Sequence, residues 1–325
     1  SMKLLQFKYI LEVVRQKLNI SMAAESLYTS QPGISKQIRQ LEDELGIKIF
    51  ERRGKHLAEI TPAGKEVIRI AERILEQVEN IKNISRDFND SSSGTLSIAT
   101  THTYARYVMP MMVKKFTSNY PKVALRILQG TPYQILDFVE NRVADFGIVT
   151  EDPGLFSDLV TLPCYNWVPK VVVPNDHELM DLVNLQLADI AKFPLVTYLP
   201  GFNGRTKVDE AFKSAGLSPS VVLEASDTDV IKTYVKQGFG VGIIASPAYD
   251  ADEDQELSSI DVGYLYEKCT TQVVFREGAI LRAYMHDFIE SFAPHLSREI
   301  VSSVLNKDFS KELKRTLDKI DLPSY

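Results

Sequence analysis

The stretch "YTSQPGISKQIRQLE", Tyr28 to Glu42, decides how the first part of the chain is read. Ser30 suits a helix N-cap, and Gln31-Pro32 fall in the first turn, where backbone N–H groups have no intrahelical partner and proline is tolerated. Ile34, Ile38, Leu41 and Leu45 follow at spacings of four, three and four, which is one buried stripe. Gly46 then stands where a helix ends in a left-handed residue. Off the stripe, Gln31, Ser35 and Arg39 recur at every fourth residue, with Lys36 beside them. Arg can read guanine and Gln adenine, while Ser and Lys reach bases or phosphates. By itself the segment also fits an ordinary solvated helix face.

The flanks narrow the choice. Leu4, Phe7, Ile10, Leu11 and Val14 predict a first helix, and "NISMAAESLY" a short second one with Ser21 as its N-cap. Two helices separated by a few residues around Thr29 form a helix-turn-helix, whose second helix enters the major groove. Downstream, Ile47 and Ile49, then Leu57 and Ile60, predict two short strands. The "ERRGKH" turn between them carries Arg52, Arg53 and Lys55, the composition of a wing that touches phosphate or the minor groove. Thr61 caps a long helix that opens on Pro62. Along it Val67, Ala71, Ile74, Val78, Ile81, Ser85 and Phe88 repeat four-three, a heptad seam read as a dimerisation helix. "NDSSSG", Asn89 to Gly94, is a hinge.

Charge follows the same division. The 325 residues carry a net charge of −6, spread as +3 over residues 1–60, −1 over 61–95 and −8 over the rest. A basic head meets a polyanion, and an acidic body does something else. The N-terminal stretch is periodic and charged, unlike a signal peptide, and no apolar run approaches the roughly 20 residues of a membrane span. A cytoplasmic chain without membrane partners is expected.

From residue 95 strands alternate with helices: "TLSIAT", "YVMPMMVKKFTSNYP", "VALRILQG", "TPYQILDFVENR", "ADFGIV", then "PLVTYL" through "VGIIAS". Such alternation makes parallel-rich sheets covered by helices. Two runs predict two subdomains, with "TTQVVFRE" and a final helix from Leu281 crossing back to the first. Ligands of such folds sit at strand C-termini. There stand Thr100, Thr101, His102 and Thr103, then Thr150, then "PGFNGR", all at strand-to-helix corners. Hydroxyls beside free helix N–H groups suit a carboxylate or sulfate, although threonines there also cap helices.

Other chemistries find little support. The five histidines are scattered, without an HExxH or paired-cysteine spacing, so no metal site is expected. "GFGVG", Gly238 to Gly242, follows a helix and enters a strand, the wrong order for a pyrophosphate loop. Cys164 lacks a local basic partner and reads as a buried residue. His102 reads as a group that orients a ligand or bonds the backbone rather than a catalytic base. No catalytic residues and no enzyme activity are expected.

The unbroken segment "AAESLYTSQPGISKQIRQLEDELGIKIFERRGKHLAEITPAG" resembles the LysR-type transcriptional regulators. That resemblance implies a mostly α winged helix-turn-helix domain (1–61), a linker helix and hinge (62–94), and an α/β effector domain of periplasmic-binding-protein type (95–325). Its subdomains are expected at about 95–162 with 270–325, and about 163–269. "IATTHTYARYVMP", "LPCYNW", "DTDVIKTY" and "RAYMHDFIESFAPHL" are similar to the CysB-like branch, which regulates sulfur assimilation and cysteine biosynthesis. The likeness implies double-stranded DNA, further copies of the chain up to a homotetramer, and RNA polymerase as partners. In place of a cofactor it implies an acetylserine-type effector or sulfate, or thiosulfate. DNA contacts would fall on Thr29, Ser30, Gln31, Pro32, Ser35, Lys36, Arg39, Arg52, Arg53 and Lys55. Effector contacts would fall on Thr101, His102, Thr103, Tyr104, Thr150 and Asn203, with Trp167 near the opening. Tyr104 stands where glutamine is expected and Asn203 where threonine is. A related sulfonate-utilisation regulator sensing adenosine phosphosulfate shares these features. A solute-binding receptor would share the body but not the basic head.

Overall fold

The computed structural model describes residues 1–150, 156, 158–306, 315 and 317–324. The chain divides into two compact units, Ser1–Ser85 and Arg86–Tyr325.

In the first unit, helices α1 (Leu4–Arg15), α2 (Ile20–Ser26) and α3 (Gln31–Leu45) precede a hairpin of β1 (Phe50–Arg53) and β2 (His56–Ile60), and α4 (Pro62–Asn89) begins. Ser30 Oγ accepts the Gly33 N–H at 3.1 Å, and Gly46 closes α3 at φ +69°. The N-cap of α2 is Asn19, not Ser21: its Oδ1 accepts the Met22 N–H at 3.0 Å. Lys17 and Leu18 both have positive φ, which delivers Asn19 in the extended conformation that a cap requires. Ser21, displaced into the first turn, donates to Gln31 Oε1 at 3.0 Å and ties α2 to α3. The expected strand at Ile47 starts later, at Phe50, and Ile49 lies buried just before it.

The start of α4 lies against its own domain. A Cβ on Gly64 would come within 2.2 Å of the Ile49 carbonyl oxygen, so this backbone approach admits only glycine. Thr61 Oγ1 accepts the Gly64 N–H at 2.9 Å and donates to the Lys48 carbonyl at 2.5 Å. Val67, Ile68, Ala71, Ile74 and Leu75 join the core of α1–α3, and Ala71 is fully buried there. The heptad reading is therefore corrected at its N-terminal end: Val67, Ala71 and Ile74 pack within the domain. The seam lies open further along, where Ile81 is 67% and Phe88 90% exposed.

The second unit runs β3 (Ser93–Thr100), a π-helical turn at Tyr104–Val108, α5 (Met109–Asn119), β4 (Lys122–Gln129), α6 (Pro132–Glu140), β5 (Phe146–Val149) and β6 (Leu159–Trp167). Then come β7 (Pro169–Pro174), α7 (Leu187–Ile190), β8 (Leu195–Tyr198), α8 (Arg205–Ser214), β9 (Val221–Ala225), α9 (Thr228–Lys236), β10 (Val241–Ala245) and β11 (Leu257–Asp261). The chain closes with β12 (Cys269–Arg276), α10 (Ala283–Phe292) and α11 (Arg298–Leu305). One sheet has the order β4-β3-β5-β12-β6, the other β11-β7-β10-β8-β9. In each, three parallel strands continue into antiparallel neighbours.

The crossing between the sheets is Val168 alone, later than the expected boundary at 162–163. Pro163 did not end β6, because β6 is an edge strand, where a proline need not donate. The return is β12, as the sequence predicts. "GFGVG" is a tight turn: Gly238 has φ +81°, and a Cβ on Gly240 would meet the Pro194 carbonyl. Arg282 holds the last turn of α4 and the hinge to this unit, through Asp87 Oδ1 at 2.5 Å and the carbonyls of Asp90 and Ser93.

Candidate DNA-reading face and effector cleft

On α3, Gln31, Pro32, Lys36 and Arg39 are exposed and Ser35 half-buried, one turn apart along one face. Thr29 and Ser30 lead into it. In the wing, Arg53 and Lys55 at the tip are exposed. Arg52 is not part of that tip. Its guanidinium turns inward to the Glu42 carboxylate, 3.7 Å away, because the alternation of β1 puts Arg52 on the face of buried Phe50 and leaves Glu51 and Arg53 outward. The Glu42 side chain is fully buried, and its other oxygen accepts the Ile49 N–H at 2.8 Å. Glu42 thereby fixes the start of the wing to α3. Opposite sign at Arg52 balances a carboxylate that burial would otherwise penalise. Tyr28, in the turn, has φ +52° and is 99% exposed beside Thr29.

The second cluster lies between the two sheets. Thr101, His102 and Thr103 follow β3, Tyr104 opens the π-helical turn, Thr150 follows β5, and Thr271 lies on β12. From the other side come Tyr198 at the end of β8, Asn203 before α8 and Thr228 at the start of α9. Thr103 and Thr228 share a hydrogen bond of 3.1 Å. Asn203 Nδ2 donates to Thr103 Oγ1 at 3.0 Å, and Thr101 donates to Asn203 Oδ1 at 3.5 Å. Tyr198 accepts the Ala245 N–H at 3.0 Å, and its hydroxyl shares a hydrogen bond with Thr228, 2.5 Å away. Burial pushes the Tyr198 phenol up to about 12. On the first sheet's side, the Tyr104 hydroxyl bonds Thr150 Oγ1 and Thr271 Oγ1 and accepts from Trp167 Nε1 at 2.9 Å, and Trp167 Nε1 also reaches Thr271 Oγ1 at 3.2 Å. Burial raises the Tyr104 pKa.

The structure thus brings Thr101, Thr103 and Asn203 into one uncharged, buried hydrogen-bonded cluster and Tyr104, Thr150 and Trp167 into a second. Trp167 is corrected in one respect. It is 1% exposed, at the back of the network rather than near an opening, because β6 extends to it and carries it between the sheets. Asn203 has φ +40°, a conformation asparagine tolerates better than threonine.

Charged groups lie along the rim. His102 Nε2 is 3.4 Å from Asp229 Oδ2, Tyr107 donates to Asp229, and Arg106 reaches Glu253 at 2.8 Å and Asp229 at 3.8 Å. Lys232 pairs with Asp254 at 2.7 Å, both buried, and donates to Tyr107 at 3.1 Å. His102, Asp227 and Asp229 lie close enough together to hold a cation. Yet Asp227 caps α9 through the Val230 N–H, and Arg106 already supplies positive charge at Asp229. The arrangement is a latch of ion pairs joining the subdomains. Cys164 is fully buried, which raises its pKa and leaves it without nucleophilic character.

The family described as "Bacterial regulatory helix-turn-helix protein, lysR family" matches residues 4–65, and "LysR substrate binding domain" matches residues 89–297. The chain is 46% identical over 321 residues to the HTH-type transcriptional regulator CysB of Haemophilus influenzae, covering 99% of each. It is 48% identical to the regulator SsuR of Burkholderia cenocepacia, over 93% of this chain and 98% of that one. The crystal structure of the cofactor-binding domain of the Cbl regulator superposes with a TM-score of 0.64 at 39% identity, over 66% of this chain and 95% of that domain. The chain belongs to the LysR family. It is a helix-turn-helix transcriptional regulator, not an enzyme, in the branch that holds CysB, SsuR and Cbl. Among the described residues no helix is long and apolar enough to cross a membrane.

For this regulator the sequence reading missed Glu42, Tyr198, Thr228, Thr271 and the latch. Thr228 carried a local signal: "SDTDV" sets an N-cap Asp227 before it, one more strand-to-helix corner like those that flagged Thr101 and Thr150. Thr271 carried none, since it lies mid-strand in an alternating pattern.

Proposed function

We propose that this regulator controls genes of sulfur assimilation and cysteine biosynthesis in the cytoplasm, in response to a small carboxylate- or sulfate-bearing effector held between the effector subdomains. The line of uncharged donors from Thr101 and Thr103 to Thr228 carries this reading. Neutral hydroxyls and amides bind an oxyanion without the desolvation cost of a buried charge pair. Because the donors come from both sheets, a ligand bound to all of them favours one relative placement of the subdomains, and differential affinity is what shifts an equilibrium. The likeness to CysB and SsuR supports the sulfur branch, and acetylserine, sulfate and thiosulfate are the effectors of the matching chemistry. The near-equal identity to SsuR supports a second reading, a sulfonate-utilisation regulator sensing adenosine phosphosulfate.

On DNA, α3 reads the major groove through Gln31, Ser35 and Arg39, while Arg53 and Lys55 hold phosphate. Copies of the chain pair through the exposed part of α4, around Ile81 and Phe88, and assemble further into a tetramer that meets RNA polymerase. Footprinting on promoter fragments of sulfur-assimilation genes tests the reading. A protected pattern that changes with acetylserine or adenosine phosphosulfate supports it and chooses between the two branches. Binding no tighter than to scrambled DNA of equal length rejects it.

A further inference from the structure

We propose that Tyr104 sets the effector specificity of the cleft, by keeping its inner donors occupied with the protein's own phenol and confining the effector to the outer ones. The inference rests on the cleft being the effector site. Its geometry divides the network in two. The inner half, so called because it lies wholly on the first sheet, is Thr150, Thr271 and Trp167, all bonded to the Tyr104 hydroxyl. The outer half, equally buried, is Thr101, Thr103, Thr228 and Asn203, which bond across to the second sheet.

The two halves differ in how readily a ligand replaces what is there. Indole Nε1–H is a donor only, so the Tyr104 oxygen accepts from Trp167. Its single proton then goes to one threonine, and the other threonine donates to its remaining lone pair. The phenol is saturated, 3% exposed, and edge-on to Tyr165 at 6.4 Å between ring centroids. Displacing it would leave Thr150 without that partner and Trp167 Nε1–H with Thr271 Oγ1 at 3.2 Å alone, in a buried site where an unmade hydrogen bond is costly. The outer half has a phenol of its own at Thr228, where Tyr198 lies at 2.5 Å and also accepts the Ala245 N–H, but its Asn203 end is held loosely. Thr101 to Asn203 is 3.5 Å, at the limit of a hydrogen bond, and Asn203 sits on the Gly201–Gly204 turn, where both glycines have positive φ. An incoming oxyanion can take over the Asn203 contacts to Thr101 and Thr103 by a movement of that turn alone.

The consequence is a site that takes one small headgroup, a carboxylate or a sulfate, and gives no foothold on the Tyr104 side to a larger ligand. A residue shorter than tyrosine at position 104 would open the inner half and release its three groups for binding.

The chain's single tryptophan makes the test direct, because Trp167 is itself a member of the inner half. Acetylserine, sulfate and adenosine phosphosulfate are titrated against the native regulator and against Tyr104→Gln, Tyr104→Phe and Thr103→Val, with calorimetry for affinity and Trp167 emission for the inner half. Tyr104→Phe, which keeps the ring and removes the hydroxyl, calibrates the emission shift that loss of the bond produces. Saturating the native protein with acetylserine or sulfate is expected to leave Trp167 emission within a fifth of that shift. Tyr104→Gln is expected to change the affinity ratio of adenosine phosphosulfate to acetylserine about tenfold or more in favour of the larger ligand. A full emission shift on ligand binding, or a ratio unchanged within about twofold, overturns the role of Tyr104. Should Tyr104→Gln fail to fold, the emission arm on native protein decides alone. Thr103→Val separates the two levels. A loss of about tenfold in acetylserine affinity upholds the cleft as the site even where Tyr104 fails, and no loss rejects the cleft and the proposal with it.

Discussion

The Thr103 and Thr228 hydroxyls meet at 3.1 Å although 125 residues separate them, one behind a strand of the first sheet and the other at the start of a helix on the second. Each is buried and bonded onward, Thr103 to Asn203 and Thr228 to Tyr198. The pair is a direct polar link from one subdomain to the other through the cleft. Thr228→Val keeps the shape and removes the hydroxyl, so the Tyr198 and Thr103 hydroxyls each lose a partner. A loss of about 1–3 kcal/mol in effector-domain stability is expected by urea denaturation, together with weaker effector binding. Unchanged stability would mean that water replaces the hydroxyl and that the bond is dispensable.

The latch on the rim behaves differently, because it contains a buried charge pair. Lys232→Met leaves the Asp254 carboxylate buried at 6% side-chain exposure with no cation. Loss of about 3–5 kcal/mol is expected, and the double change Lys232→Met with Asp254→Leu should recover most of it. A double variant as unstable as the single one would show that the damage comes from packing around Tyr107.

In the N-terminal domain the two wing arginines separate by function. Arg53→Ala should lower the slope of log affinity against log salt by about 1 on any DNA. Arg52→Ala should leave that slope alone and lower the melting temperature of the domain, since Arg52 answers buried Glu42. Salt titrations of the two variants check this, and equal slopes would restore Arg52 to the phosphate contacts. Arg39→Ala, on the exposed face of α3, should lose about 1–3 kcal/mol of discrimination between operator and mutated operator.

Along α4 the same chemistry has opposite effects at two positions. Ile81→Glu adds charge where the side chain is 67% exposed, and should yield monomers in sedimentation with the domain intact. Ala71→Glu buries a charge in the α1–α3 core and should unfold the domain.

His286 gives a pH signature. Burial, with Arg298 nearby, lowers its pKa from 6.5 to about 4. The unfolded chain then binds the proton more readily than the folded one. The stabilisation is complete above about pH 6.5 and is lost as pH falls toward 4. Replacing His286 by leucine should flatten stability against pH in that window, measured by urea melts at each pH.

How much of this was legible follows from where each signal lives. Ser30, Pro32, Gly46 and the Ile34–Leu41 stripe are local, so α3 could be read from its own letters, cap and stop included. The cap at Asn19 could not, because it depends on the left-handed backbone at Lys17 and Leu18. The seam of α4 was half misread, since a four-three repeat shows that a face is apolar but not what covers it. Gly64 under Ile49 turns the first part of that face to its own domain. In the cleft, strand-to-helix corners announced Thr101, Thr103 and Thr150 one by one. That Tyr104 reaches Thr271 depends on β12 returning to the first sheet, and that Asn203 and Thr228 meet Thr103 depends on the second subdomain, which no window of sequence contains.

An effector bound between the subdomains by the Thr101–Thr103–Thr228 donors is what would couple sensing to DNA binding. Thermal melting of the native regulator and of Thr103→Val, with acetylserine, sulfate, thiosulfate and adenosine phosphosulfate in turn, tests that most directly. At about a hundredfold excess over Kd a bound ligand adds about 2.7 kcal/mol, a rise of roughly 5–10 °C for a domain of this size. One member of the panel should raise the native Tm by that amount and leave Thr103→Val nearly unmoved. Equal shifts in both proteins, or none with any of the four, would contradict it.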